Sequence, residues 1–132
     1  MERLEIRTLA HAEFHEITEE VQAVVAQSKI KSGIAHVFVP HTTAGITINE
    51  NADPDVKADM LKSLEQQVPW NQPHFQHAEG NSAAHIKASM MGFSATVLVE
   101  QGKLALGTWQ GIYLCEFDGP RTRKVYVRVC KD

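Results

Sequence analysis

The stretch Ile112–Cys130, IYLCEFDGPRTRKVYVRVC, decides the fold reading. Ile112 to Phe117 and Lys124 to Cys130 are rich in β-branched and aromatic residues, and Asp118-Gly119-Pro120-Arg121 between them has the composition of a tight turn. The pattern predicts two antiparallel strands paired across that turn. Within the first strand Glu116 shares a face with Ile112 and Leu114, which sets a carboxylate on the apolar side, where it must be paired or protonated. Arg121 and Arg123 stand nearest as partners.

Working outward, Ser94 to Glu100 reads as another strand, followed by a turn at Gln101-Gly102. Ile34 to Val39 reads as a buried strand that Pro40 ends by removing a backbone donor. Gly45 to Asn49 alternates Ile46 and Ile48 against Thr47 and Asn49, and Leu4, Ile6 and Thr8 alternate with Glu5 and Arg7 in an opening strand. A short extended piece covers Phe14 to Ile17. Helices are predicted after Thr18 as cap, after Asp53-Pro54, and from Asn81 as cap through Met91, where Gly92 supplies a stop. Gln66 to Gly80 has no apolar period and reads as a long ordered loop, a kind of segment that often carries function. The expected architecture is an α+β, mostly antiparallel β-sheet sandwich with about three helices gathered on one face, in a single domain over residues 1–132.

With 132 residues, 43% of them hydrophobic, the chain can bury a core of ordinary domain size. Its formal net charge of −3 is spread out, which argues against a nucleic-acid partner. No segment approaches membrane-spanning length, and Met1 to Glu5 lacks the apolar run of a secretory signal, so a cytoplasmic protein without membrane contact is expected. Cys115 and Cys130 have neither metal nor redox spacing and are expected to be reduced core thiols.

Four polar clusters mark the edges of the apolar stretches: His41-Thr42-Thr43, Asn49 to Asp53, His77 to Asn81 with His85, and Glu116 to Arg121 with Arg123. Imidazole, carboxylate, amide and guanidinium groups at the ends of core elements are the material of a small-molecule or metal site. His41, His77 and His85 are the candidate metal ligands, with Glu79 beside them. A divalent ion such as zinc or magnesium and a bound oxyanion are equally compatible with this spacing. His11, His15 and His74 have no clustered partners in the sequence, and His36 lies inside the strand Ile34 to Val39, where it reads as a core or surface histidine and not a ligand. Asp53 reads first as a helix cap, whereas Asn49 and Glu50 have no such structural task. Trp109 is either a core plug or a stacking wall for a flat ring.

The strings His41-Thr42-Thr43-Ala44, Asn49-Glu50, Gly80-Asn81 through Ala84-His85, Gly107-Thr108-Trp109-Gln110 and Asp118-Gly119-Pro120-Arg121 together resemble the YjbQ family, nearly end to end. That resemblance implies an α/β sandwich assembled as a homotrimer, with a pocket that includes a neighbouring subunit. It also implies a weak transferase activity that joins a hydroxymethylpyrimidine diphosphate to a thiazole phosphate. The products are thiamine phosphate and pyrophosphate.

Carried over by position, the shared motifs imply that His41, Asn49, Glu50, His77, Asn81, His85, Trp109, Gln110, Glu116, Arg121 and Arg123 surround that pocket. Of the polar residues, His41, Asn49, Glu50, Glu116 and Arg121 are the expected catalytic group. Thr42, Thr43, Asn81, Trp109, Gln110 and Arg123 are expected to contact a phosphorylated small-molecule substrate, with Glu116 orienting the arginines. Two rival readings use the same residues: a non-catalytic module that holds an anionic metabolite, and a metal-assisted phosphoester hydrolase.

Overall fold

The two strands of the decisive stretch do not pair with each other. In the computed structural model, which describes Met1–Asp132, they lie in different sheets. In chain order the elements are β1 (Glu2–Arg7), β2 (Glu13–Glu16), α1 (Thr18–Ser28), β3 (Ser32–Phe38), β4 (Ala44–Glu50), α2 (Pro54–Gln67), α3 (Ser82–Met91), β5 (Ser94–Glu100), β6 (Lys103–Leu104), β7 (Gln110–Glu116) and β8 (Thr122–Lys131). A five-stranded sheet runs β1-β8-β3-β5-β6 and a three-stranded sheet runs β2-β7-β4, with every pairing antiparallel. The turn at 118–121 carries the chain from the centre of the small sheet to the interior of the large one. The expected hairpin is therefore a crossing between layers.

That crossing explains the composition of β7. Ile112 and Leu114 face the core between the sheets, against Ile6, Val37, Val97, Val125 and Val127 of the large sheet. Tyr113 and Cys115 face the other way, onto Leu64 of α2 and Ala84 and Ala88 of α3. A strand covered on both faces reads as a continuous apolar run, as β7 does. The α+β antiparallel sandwich with three helices is the architecture observed. The helices divide, however: α2 and α3 cover the small sheet, while Val21 and Val24 of α1 join the core between the sheets.

Local chemistry sets the helix starts in different ways. Asp53 caps α2 by accepting from the Asp55 N–H at 2.9 Å, just before Pro54. Thr18 does not cap α1. Its hydroxyl donates to Glu16 at 2.8 Å and accepts from the Ile112 N–H at 2.8 Å, tying the helix start to β7. Asn81 occupies the cap position of α3, but its side chain makes no capping bond and turns to another partner. Gly33 lies inside β3, and any side chain there would collide with the Cys130 carbonyl.

The two cysteines differ in setting. Cys115 is buried, and burial pushes its thiol well above the ordinary range, whereas Cys130 is exposed on β8 and not a core thiol. No helix is long and apolar enough to cross a membrane.

Candidate functional site

The last residue of β7 and the second of β8 hold the crossing together. Glu116 is fully buried and Arg123 is 2% exposed. Arg123 Nε donates to Glu116 Oε1 at 2.8 Å, and its Nη2 donates to Oε2. Thr8 Oγ1 adds a bond to Oε1 at 2.8 Å, and the Asp118 N–H one to Oε2 at 3.0 Å. Burial alone would push this carboxyl up; the bonds from Arg123, Asp118 and Thr8, with the Arg123 charge, outweigh it and hold Glu116 below the ordinary carboxylate range. Arg123 Nη2 also donates to Thr43 Oγ1 at 2.9 Å, and Thr43 is itself buried. Glu116, Arg123 and Thr43, expected to act on a ligand, face one another instead and join the two sheets. Thr42, beside them, is exposed.

Arg121 has a different partner from the one expected. Its Nε donates to the Asp118 carbonyl at 2.9 Å, and its Nη2 lies 3.2 Å from Asp118 Oδ2, so Asp118 and not Glu116 orients it. Asn81 Nδ2 donates to the same Oδ2 at 2.9 Å. His11 Nε2 stands 3.9 Å from Asp118 Oδ1, and its ring meets Trp70 edge-on at 4.5 Å. The turn is held against the β1–β2 connection by the Gly119 N–H donating to the His11 carbonyl at 2.9 Å. Residue 119 must be glycine because a side chain would strike the Ala10 carbonyl and Glu116. One carboxylate thus gathers His11 and Asn81 from two distant segments and Arg121 from its own turn, while the Arg121 side chain remains 49% exposed.

Beside this group the long loop forms an open cavity of about 420 Å³, lined by Trp70, Asn71, Pro73, Phe75, His77 and Gly80 among others. His77 and His85 face each other with rings 5.6 Å apart and nearly perpendicular, and His77 Nε2 is 3.9 Å from Glu79. His41 does not join them. Its Nε2 accepts the Lys124 N–H at 2.9 Å, which assigns its own proton to Nδ1. No three His, Cys, Asp or Glu side chains come together as a metal set, so the expected trio His41, His77 and His85 divides into a pair and a single residue.

Burial first, then the Arg123 charge, lowers the His41 pKa below its ordinary 6.5, although Glu116 opposes this. The unfolded chain therefore binds this proton more readily than the folded one. Its contribution to stability is whole above 6.5 and is lost as pH falls through the folded value. An NMR titration is expected to find the His41 midpoint below 6.5, with the neutral ring in the Nδ1–H tautomer. A midpoint at or above 6.5 contradicts this electrostatic picture.

The remaining predicted residues lie elsewhere. β4 and β7 pair from Ala44 opposite Glu116 to Glu50 opposite Gln110, which separates the two ends of the pair by about 20 Å. Asn49, Glu50, Trp109 and Gln110 sit at the far end. Asn49 Oδ1 accepts the Glu50 N–H at 2.7 Å, Glu50 Oε2 accepts the Asp53 N–H at 3.2 Å, and Gln110 Oε1 accepts the Gly107 N–H at 2.8 Å. Trp109 is 62% exposed and is not a core plug. Within one protomer the predicted residues form two groups, not one hollow.

Residues 2–132 match the family model described as UPF0047 protein YjbQ-like. The chain belongs to the YjbQ/UPF0047 family. It is 54% identical over 129 residues to the UPF0047 protein YugU of Bacillus subtilis, covering 98% of each chain. It is 51% identical to a UPF0047 protein of Methanocaldococcus jannaschii, covering 98% of this chain and 94% of that one. Among solved structures it is similar to an uncharacterized YjbQ/UPF0047-family protein of Clostridium acetobutylicum, with TM-score 0.96, 52% identity and coverage of 98% and 100%. A conserved hypothetical protein of Thermus thermophilus superposes with TM-score 0.92 at 43% identity, with the same coverage.

In this YjbQ-family fold, His11, Trp70 and Asp118 enter the site without having been predicted for it. His11 was unpartnered along the chain, since the carboxylate it approaches is more than a hundred residues away. Asp118 had a signal, for it lies between the two residues that frame the turn, Glu116 and Arg121.

Proposed function

We propose that this YjbQ-family chain is a transferase acting on a phosphorylated small molecule, by condensation of a hydroxymethylpyrimidine diphosphate with a thiazole phosphate. The observation that carries the reading is Arg121: its guanidinium is fixed by two contacts to Asp118, yet half its side chain stays open to a ligand. A pre-oriented, exposed guanidinium beside a cavity walled by Trp70 and Phe75 suits a charged phosphate group joined to a flat ring. In the reaction the thiazole nitrogen forms a bond to the methylene carbon of the pyrimidine. The carbon–oxygen bond to the diphosphate breaks, and pyrophosphate leaves with the bonding pair. Arg121 neutralises the charge that grows on that leaving group. His77 lines the same cavity, and His85 faces His77 with rings 5.6 Å apart. Three protein donors for a metal are not gathered in the protomer, so no step is assigned to one.

The reading extends to a homotrimer. It is supported by the exposed outer face of the five-stranded sheet, where Leu98 is 58% and Phe38 47% exposed and Phe38 stacks on Tyr126. Sedimentation is expected to give three times the chain mass, and a fully active monomer contradicts the assembly. Chromatography of the purified protein mixed with both precursors is expected to show thiamine phosphate. Absence of product at every protein concentration overturns the transferase reading in favour of a module that only binds.

A further inference from the structure

We infer that Asn81 makes this site select an oxyanion that still carries a proton, a phosphate group over a sulfate. The inference rests on the phosphate-handling reading of Arg121. Asn81 is 7% exposed, and its Oδ1 is a buried acceptor with no hydrogen-bond partner. The orientation of the carboxamide is fixed by chemistry: Asp118 can only accept, so the group bonded to it is the Nδ2 donor, and the atom left over is the oxygen. A buried acceptor without a donor is rare in folded proteins, and because this one is closed to solvent, a ligand supplies the donor only once the side chains covering it shift aside.

The ligand that supplies it also meets Arg121. Asn81 Nδ2 and Arg121 Nη2 both lie within 3.2 Å of the single atom Asp118 Oδ2, so an oxyanion held by the guanidinium sits beside the Asn81 amide. Gly80, immediately before Asn81, lines the cavity, has a φ of +71° and has no atom within 4 Å of where a side chain would be, which leaves the rim open at this point. Helix α3 begins at Ser82 with neither a side-chain cap nor an acidic residue in its first turn, so its positive end is free to favour an anion.

These surroundings impose two demands at once. Arg121 and the helix start require negative charge, whereas Asn81 Oδ1 and the Asp118 carboxylate require a donor. A phosphate group retaining one P–O–H satisfies both, donating to Asn81 and accepting from Arg121. Sulfate, fully deprotonated near neutrality, would set a lone pair against Asn81 Oδ1. Discrimination of this kind arises when a site's buried polar group is left unpaired by the wrong ligand.

Calorimetric titration of the full chain with inorganic phosphate and with sulfate, at one pH and matched ionic strength, tests this. Phosphate is expected to bind about tenfold or more tighter than sulfate. Asn81→Ala is expected to bring the ratio close to one with little change in sulfate affinity, and Arg121→Ala to weaken both ions. Should Asn81→Ala fail to fold, Asn81→Gly serves, since a helix cap tolerates glycine. Equal affinities in the native protein, or a ratio unchanged in the Asn81 variant, overturn the inference and leave the oxyanion site standing. Binding of neither ion overturns the phosphate-handling reading itself, and this inference with it.

Discussion

Arg123→Met is expected to destabilise the protein by about 3–5 kcal/mol, because it leaves the Glu116 carboxylate buried without its counter-charge. Domains of this size have about 5–15 kcal/mol in hand, so the variant stands close to the folding limit. The loss exceeds that of a surface pair because neither group reaches water, and because the same guanidinium also satisfies Thr43. Glu116→Gln combined with Arg123→Met is expected to recover part of the loss, since two neutral side chains can replace a buried pair more cheaply than one stranded charge. The pH dependence follows from the direction of the Glu116 shift. In the native protein the carboxyl is held low, so its stabilising contribution is present above the ordinary 4.5 and is lost as pH falls through the folded value. In Arg123→Met, burial acts with less opposition and raises the carboxyl, so protonation relieves the strain. The gap between native and variant denaturant midpoints should narrow as pH is lowered toward 4.5. A loss below about 1 kcal/mol at neutral pH would place the pair among weak surface contacts and refute its role in joining the sheets.

The same pair shows what the sequence could and could not yield. Alternation along β7 placed Glu116 on the apolar face, and the structure agrees. Choosing between the two arginines needed one more step of the same kind. Counting back by twos from Val127 and Val125 on β8 puts Arg123 on the buried face, while Arg121 precedes the strand. The hairpin was not refutable locally: a Gly-Pro turn serves two strands that pair and two strands that separate, and only the partners in space, β1 and β3 for β8, decide between them. The helix starts show a similar limit. Asp53 caps as its residue type predicts, but Thr18 and Asn81 found stronger partners in Ile112 and Asp118. The division of the predicted site into two ends followed from the register of β4 on β7. Neighbouring motifs along the chain carry no information about such a register.

Arg121→Ala is expected to lower kcat/KM for thiamine-phosphate formation by about 10²–10³ while leaving the unfolding midpoint nearly unchanged. The two halves of this expectation have separate causes. Arg121 is half in solvent, so its ion pair with Asp118 contributes at most about 1 kcal/mol to stability, unlike that of Arg123. Its contribution to the reaction is larger because the guanidinium is fixed before substrate arrives and faces charge that grows as pyrophosphate leaves. An interaction made mainly in the transition state lowers kcat and kcat/KM together, whereas one made equally to bound substrate raises KM alone. Arg121→Lys should rescue little. An ammonium group can neutralise charge but cannot contact both the Asp118 carbonyl and Oδ2 while presenting a further donor to the ligand, as the planar guanidinium does. A variant within about threefold of the native rate would exclude Arg121 from the chemistry. Loss of rate accompanied by an equal loss of stability would instead assign it the structural task that Arg123 performs one strand-step into β8.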